Sequence, residues 1–153
     1  MRVLELRGYL DVPAEARSVA VVRGRVGDLL AAAGHADVDV VLLLLSEIVS
    51  NSVRHSDSGR RPGGRITVAM ATADDLIHID VIDDGSAAPI PDAPPSGVAE
   101  LNEGGRGLWL VQQLSTAWGW HEETGARVVW FEVTGWCDQR DVAGLAGLPP
   151  RVL

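Results

Sequence analysis

The chain has 153 residues, of which 46% are hydrophobic and 22% are charged, a balance that fits one globular domain with an apolar core. Its 13 basic and 21 acidic residues give a formal net charge of −8, which argues against direct binding to nucleic acid through Lys and Arg. One cysteine excludes an intramolecular disulfide framework, and the apolar run at 40–45 is far shorter than the ~20 residues of a membrane span. No signal peptide is recognisable, so we expect a cytoplasmic protein that does not bind membranes.

The first third of the chain predicts one strand and two helices. Alternation around Val3, Leu4 and Leu6 favours a short strand. A helix is predicted from Pro13 to Gly34, because apolar residues recur at helical spacing and glycine commonly follows a helix end. A second helix is predicted to end near His55, with Asp37 or Asp39 as its cap and a packed face formed by Val41, Leu42, Leu45, Val49 and Val53.

The remainder predicts strands, one long loop and one more helix. After a polar loop at 56–64, strands at 65–72 and 76–83 form a hairpin. Residues 84–104 are rich in Pro and Gly and lack any period; a loop of that length in a compact domain is either a functional lid or disordered. A glycine-led helix then precedes strands at about 117–122 and 126–134.

The order of these elements is not the regular alternation of a parallel doubly wound sheet. We therefore predict an α+β fold with two layers, in which a mixed, mainly antiparallel sheet carries helices on one face. The predicted domain spans 1–134, and 135–153 form an irregular C-terminal tail.

Polar residues interrupt the apolar pattern at three places. Glu47, Asn51 and His55 follow one another at four-residue intervals, so they form a polar stripe along one side of the second helix. A solvated helix edge would look the same. However, Asp83 and Gly85 follow a buried strand, where binding groups tend to collect, and the glycine run at 104–107 precedes a helix, where backbone N–H groups can bind an anion.

The ordered set of motifs is more specific than any one of them. E-x-x-x-N on a helix, D-x-G after a strand, a Pro/Gly-rich lid and G-x-G-L opening a helix resemble the N, G1 and G2 boxes of the GHKL ATPases, which have the Bergerat fold. Within that superfamily the chain is most similar to the bacterial anti-sigma-factor serine/threonine kinases, especially the small stand-alone ATP-binding proteins of actinobacteria. The stretches that carry the resemblance are SEIVSNSVRHS, VIDDGSAAP, GGRGLWLVQQLSTAWGW and GARVVWFEV.

The resemblance implies ATP and Mg²⁺ as ligands and assigns roles to four residues. Asn51 would coordinate the Mg²⁺ that bridges the phosphates, and Glu47 would act as general base toward the acceptor hydroxyl. Asp83 would accept a hydrogen bond from the adenine amino group, and Gly85 would let the base approach. These roles agree with the preference of Mg²⁺ for oxygen ligands and with phosphoryl transfer by positioning and charge stabilisation.

The resemblance also implies that Gly105 and Gly107 let the backbone wrap the phosphates. Arg106 is a candidate contact to the phosphates or to a partner, with a solvated side chain as the alternative, and Leu108 is a further nucleotide-binding candidate. His55 is a further nucleotide-binding candidate, with packing against the lid as the alternative. Arg127 stands near the place where related chains often have Lys, so it is a candidate phosphate contact. Two other departures are Ala87, in place of the second glycine of D-x-G-x-G, and Ser52, in place of the usual small residue after the Asn.

The implied function is an ATP-dependent serine/threonine protein kinase that acts as an anti-sigma regulator. Its substrate would be a small anti-anti-sigma protein of the STAS type, and it could also sequester a sigma factor; a homodimer is left open. One alternative is a binding module that uses nucleotide only as a switch. Another is a catalytic domain of histidine-kinase type, which the short lid and the lack of a preceding phosphoacceptor helix disfavour.

Overall fold

The computed structural model describes residues 3–35, 38–87 and 106–134, without the side chain of Arg106. Most of the predicted lid, Gly105 and the predicted tail therefore lie outside the described residues. The helices and strands are, in chain order, β1 (Glu5–Pro13), α1 (Ser18–Ala32), α2 (Asp39–His55), α3 (Asp57–Arg60), β2 (Arg65–Ala73), β3 (Leu76–Asp83), α4 (Arg106–Leu114), β4 (Ala117–Glu123) and β5 (Ala126–Thr134).

The five strands form one sheet in the order β1-β2-β3-β5-β4, and every pairing in this sheet is antiparallel. Two tight turns, each with positive-φ residues, make the two hairpins: Asp74 lies between β2 and β3, and Thr124 and Gly125 lie between β4 and β5. Because β5 lies between β3 and β4, the end of β3 meets the start of β5. This confirms the predicted two-layer α+β fold and its antiparallel sheet.

The core lies between one face of the sheet and the helices. Along β3, Ile77, Ile79 and Val81 are buried while the residues between them are only half-buried, as the two-residue period of a strand requires. These side chains pack in one apolar cluster with residues of α1, α2 and α4, including Val22, Val26, Leu30, Leu44, Leu45, Ile48 and Val111. The packed sheet therefore holds the residues at the ends of its strands in fixed positions.

Three details of the predicted elements were wrong. Pro13 ends β1 instead of starting a helix; it pairs with Arg65 on an edge strand, where a missing N–H costs no ladder bond. Asp39 is the first residue of α2 rather than a side-chain cap, because Val38 occupies the cap position and makes no side-chain cap bond. The loop predicted at 56–64 contains the short helix α3.

The second predicted helix is confirmed as α2, with its end at His55 as expected. It packs on the core through Val41, Leu44, Leu45, Ile48 and Val49. Among the helices of the described ranges, none is long and apolar enough to cross a membrane.

Candidate functional site

The polar stripe of α2 lies against the start of α4. Glu47 and Asn51 are half-buried, and Gly107, in the first turn of α4, is buried beside them. A Cβ atom added at Gly107 would lie 3.0 Å from Oε2 of Glu47 and 3.1 Å from Nδ2 of Asn51. Glycine at position 107 is therefore what allows α4 to approach the two polar side chains this closely.

Asn51 carries a buried oxygen whose hydrogen-bonding capacity is unused. Its Oδ1 atom is buried and has no hydrogen-bond partner among the described residues. Leaving such an acceptor unsatisfied costs about 1–3 kcal/mol, so a ligand that fills it is favoured. An amide oxygen is a suitable ligand for Mg²⁺, which takes few protein ligands and completes its octahedron with phosphate oxygens and water. Asn51 thus fits the predicted role.

No group of three or more His, Cys, Asp or Glu side chains able to hold a metal ion occurs in the described parts of the chain. A metal cage made of protein side chains is therefore not found there. The arrangement around Asn51 suits a cation that binds together with an anionic ligand such as a nucleoside triphosphate.

Asp83 forms the second part of the site, at the end of β3. Its carboxylate is buried, with 7% of the residue exposed, and Oδ1 accepts a 2.7 Å hydrogen bond from the backbone N–H of Gly85. The hydroxyl of Ser52 on α2 donates a second hydrogen bond to it. Gly85 has φ +69°, which glycine adopts without strain, so the D-x-G sequence closes a tight turn around the carboxylate.

Opposing influences act on the pKa of the Asp83 carboxyl group. Burial raises the pKa of Asp83 above its ordinary value, and the nearby charge of Asp84 acts in the same direction. The hydrogen bonds from Ser52 and Gly85 and the positive charge of Arg127 oppose that rise. A buried carboxylate in this setting can accept a hydrogen bond from an amino group of a planar base.

Arg127 lies directly opposite Asp83 on the adjacent strand β5. Its Nη2 donates to the carbonyl oxygen of Ser86 at 3.0 Å and to Oε1 of Glu122 at 2.8 Å. Its guanidinium carbon lies 5.4 Å from the centre of the Trp120 ring, within the range of a cation–π contact. The structure thus places Arg127 at the Asp83 end of the site, and its predicted contact with phosphate stays a prediction.

The short helix α3 fixes the D-x-G turn from the other side. Ser58 Oγ donates to Oδ2 of Asp84 at 2.9 Å and accepts from the Asp84 N–H at the same distance. Arg61 forms an ion pair with the same carboxylate, and the N–H of Asp57 donates to the carbonyl of Gly85 at 2.7 Å. The turn is therefore held by three residues at 57–61 that the sequence did not point to: Asp57, Ser58 and Arg61.

A cavity of about 330 Å³ opens beside this turn. Gly85 and Ser86 line one side, and the β4–β5 turn lines the other. Four carboxylates also line it, Asp57, Asp84, Glu122 and Glu123, and the first three form ion pairs with Arg60, Arg61 and Arg127, respectively. None of the described residues that line the cavity is Lys or Arg, so the lining itself offers no cation to a phosphate group.

The structure brings most of the predicted residues into two adjoining groups. Glu47, Asn51 and Gly107 form one; Asp83, Gly85 and Arg127 form the other. Consecutive residues of α2, Asn51 and Ser52, join the two groups. His55 is exposed at the end of α2, Leu108 is half-buried in α4, and Gly105 and the Arg106 side chain lie outside the described residues.

Several residues of the site were not identified from the sequence as partners of the motif residues. They are Ser52, Ser58, Arg61, Trp120 and Glu122. Ser58 and Asp84 are 26 positions apart, and no local pattern relates residues at such a separation. The only signal was the position of Ser52 directly after Asn51, which was read as a small-residue replacement.

Two relatives in sequence carry kinase names. The chain is 27% identical over 118 residues to a protein named serine-protein kinase RsbW from Bacillus licheniformis, covering 69% of this chain and 73% of the relative. It is 26% identical over 129 residues to a serine-protein kinase RsbW from Staphylococcus aureus, covering 78% of this chain and 81% of the relative.

A solved structure and a family profile also match the chain. A crystal structure of RsbU and RsbW domains from Mycobacterium tuberculosis superposes with a TM-score of 0.59 at 22% identity, covering 83% of this chain. The chain spans 32% of that larger protein, so this likeness concerns the fold alone. The profile of the histidine kinase-like ATPase domain matches residues 12–133, from the end of β1 through β5. The chain therefore belongs to the histidine kinase-like ATPase domain family.

Proposed function

We propose that this protein is an ATP- and Mg²⁺-dependent serine/threonine protein kinase that acts as an anti-sigma regulator. Its acceptor would be a small anti-anti-sigma protein of the STAS type, and a sigma factor would be a second partner. The relatives named serine-protein kinase support this proposal. The observation that carries it is the pair of Glu47 and Asn51, whose side chains pack on Gly107; Oδ1 of Asn51 is buried and has no hydrogen-bond partner among the described residues.

Each group of the site has a distinct task in this proposal. Asn51 would hold Mg²⁺ through Oδ1, and the chemistry that the ion would supply is neutralisation of charge on the triphosphate. Asp83 accepts a hydrogen bond from the adenine amino group, and the turn at Gly85 leaves room for the base. The two tasks fall on neighbouring segments of α2 and β3, so one nucleotide can engage both.

Glu47 is the group that favours chemistry over simple binding. A domain that only holds nucleotide needs Asn51, but has less need of a carboxylate one turn earlier. In the proposed reaction the acceptor hydroxyl oxygen bonds to the γ-phosphorus, the bond to the ADP oxygen breaks, and Glu47 takes the hydroxyl proton. The half-buried position of Glu47 beside Gly107 suits that task.

The test is phosphoryl transfer from labelled ATP in the presence of Mg²⁺ and a candidate anti-anti-sigma protein. We expect Glu47→Gln to lower the rate by about 10²–10⁴-fold, as for loss of a general base, while ATP affinity changes little. Glu15→Gln, at an exposed glutamate in the β1–α1 connection, is the matched control and should keep the wild-type rate. If no acceptor is labelled while ATP still alters affinity for a captured partner, the protein is a nucleotide-gated binding module instead.

A further inference from the structure

Arg127 is a buried cation to which the proposed phosphoryl transfer assigns no step. Only 7% of the residue is exposed, the same fraction as for Asp83 directly across the β3–β5 ladder. Arginine is rarely buried unless its charge and donors are matched. The groups that contact the buried Arg127 side chain therefore indicate its role.

The side chain of Arg127 is held from several sides. Nη2 bonds the carbonyl of Ser86 and the carboxylate of Glu122, and Trp120 lies beneath the guanidinium. The backbone of Gly85 packs on its stem, since a Cβ atom there would lie 3.5 Å from Cβ of Arg127. The Arg127 side chain thus ties the Gly85–Ser86 end of the turn to Trp120 and Glu122 of β4.

We infer that Arg127 is a positioning and specificity-determining residue, which holds the turn at 83–86 so that the Asp83 carboxylate can accept a hydrogen bond from adenine in preference to guanine. The inference rests on the proposed nucleotide function. Adenine offers an amino donor at the position where guanine offers a carbonyl acceptor, so an ionised Asp83 discriminates between them. A protonated Asp83 would offer an O–H donor and lose that preference.

The charges around Asp83 support this role. Arg127 on β5 is the cation that favours its ionised form, whereas burial and the neighbouring charge of Asp84 favour the protonated form. Ser52 on α2 and the Gly85 N–H contribute hydrogen bonds without charge. Removal of Arg127 leaves no cation among the groups that act on Asp83, so its pKa would rise further.

The experiment measures ATP and GTP affinity by calorimetry from pH 5 to 8. For Arg127→Met we expect ATP to bind about tenfold more weakly, the ATP-over-GTP preference to shrink, and the acid loss of ATP binding to begin at higher pH. Arg127→Lys keeps the charge but cannot bridge Ser86 and Glu122 with a planar fork, so it should keep the wild-type pH midpoint and lose part of the preference. Arg65→Met is the matched control, because Arg65 is an exposed arginine of β2 that also bonds a carboxylate and a backbone carbonyl, both of Asp11; it should leave the ATP-over-GTP preference unchanged.

A double substitution locates the effect. If Arg127 acts through Asp83, then Arg127→Met should change the ATP-over-GTP preference no further in an Asp83→Asn background. Equal losses of ATP and GTP affinity with an unchanged pH midpoint would overturn the inference and leave Arg127 structural. If Arg127→Met does not fold, an unaltered preference in Arg127→Lys overturns it. Failure of the wild-type protein to bind either nucleotide would instead contradict the proposed function.

Discussion

Gly107 of α4 packs directly on Glu47 of α2, so closely that a Cβ atom at position 107 would lie 3.0 Å from the Glu47 carboxylate. The same Cβ would lie 3.1 Å from Nδ2 of Asn51. The two residues come from different motifs, E-x-x-x-N and G-x-G-L, and the contact shows that the motifs meet. The start of α4 is thereby matched to the polar stripe of α2.

Gly107→Ala should impair the site more than the fold. The added methyl group would displace Glu47 and Asn51, and misplacement of reacting groups by about 1 Å can cost on the order of 10²-fold in rate. We expect phosphoryl transfer and Mg²⁺-dependent ATP affinity to fall together. Gly24→Ala in α1 is the matched control, because a Cβ there meets nothing within 4 Å and should stabilise the helix by roughly 0.5–1 kcal/mol. Unchanged activity in Gly107→Ala would show that the contact is not needed.

Asn51→Ala should remove the dependence of nucleotide affinity on Mg²⁺. The substitution deletes the buried Oδ1 that has no partner within the described chain, so it removes the proposed metal ligand and a desolvated acceptor at once. ATP titrations with Mg²⁺ and with a chelator would check this. Gln113→Ala deletes an exposed carboxamide of α4 and should retain the Mg²⁺ effect. An equal Mg²⁺ effect in Asn51→Ala would exclude Asn51 as the ligand.

Asp83→Asn should weaken ATP binding by about 1–3 kcal/mol, because an amide pairs poorly with the adenine amino group at a buried position. The same substitution should change the pH dependence of folding. Burial raises the pKa of Asp83 in the folded state above its value in the unfolded state, so protonation of this group stabilises folding; that contribution is present at low pH and is lost as pH rises through the raised pKa. Urea unfolding between pH 4 and 7 should therefore show a smaller decline for Asp83→Asn. Equal ATP affinity in the two proteins would remove Asp83 from the base site.

His78 should make folding stability fall with rising pH. On the face of the sheet opposite the core, Nε2 lies 3.1 Å from Asp80 and Nδ1 lies 3.0 Å from Glu132, and the ring stacks on Trp130. The Asp80 hydrogen bond is the largest influence and raises the pKa of His78, with Glu132 acting in the same direction and burial opposing both.

The sign follows from linkage. Because the folded-state pKa of His78 is raised above 6.5, its stabilising contribution is complete below that pH and is lost as pH rises through the folded-state value. His78→Gln should remove this decline in urea unfolding at pH 5.5 to 9. His55→Gln, which replaces an exposed imidazole, is the control. A decline that persists unchanged in His78→Gln would show that other groups cause it.

The sequence alone was sufficient to predict the helices and strands that leave a periodic pattern of apolar residues along the chain. The three-and-four spacing of apolar residues predicted α2 and its end, and two-residue alternation predicted the strands at 65–72 and 76–83 within one residue of β2 and β3. The order of the motifs along the chain was sufficient for the family, which the match to residues 12–133 confirms. The helix start predicted at Pro13 was wrong because proline occurs both on edge strands and in the first turn of helices.

The tertiary structure alone decided how the motifs are supported. Insertion of β5 between β3 and β4 puts Arg127 opposite Asp83 and lets it bond Ser86, 41 positions away. The packing of α2 on β3 brings Ser52 to the same carboxylate. Periodicity reports which face of an element is buried, but not which element lies against that face. Strand order and helix packing, which depend on the free energy of the whole core, determine that choice and with it the environment of Asp83.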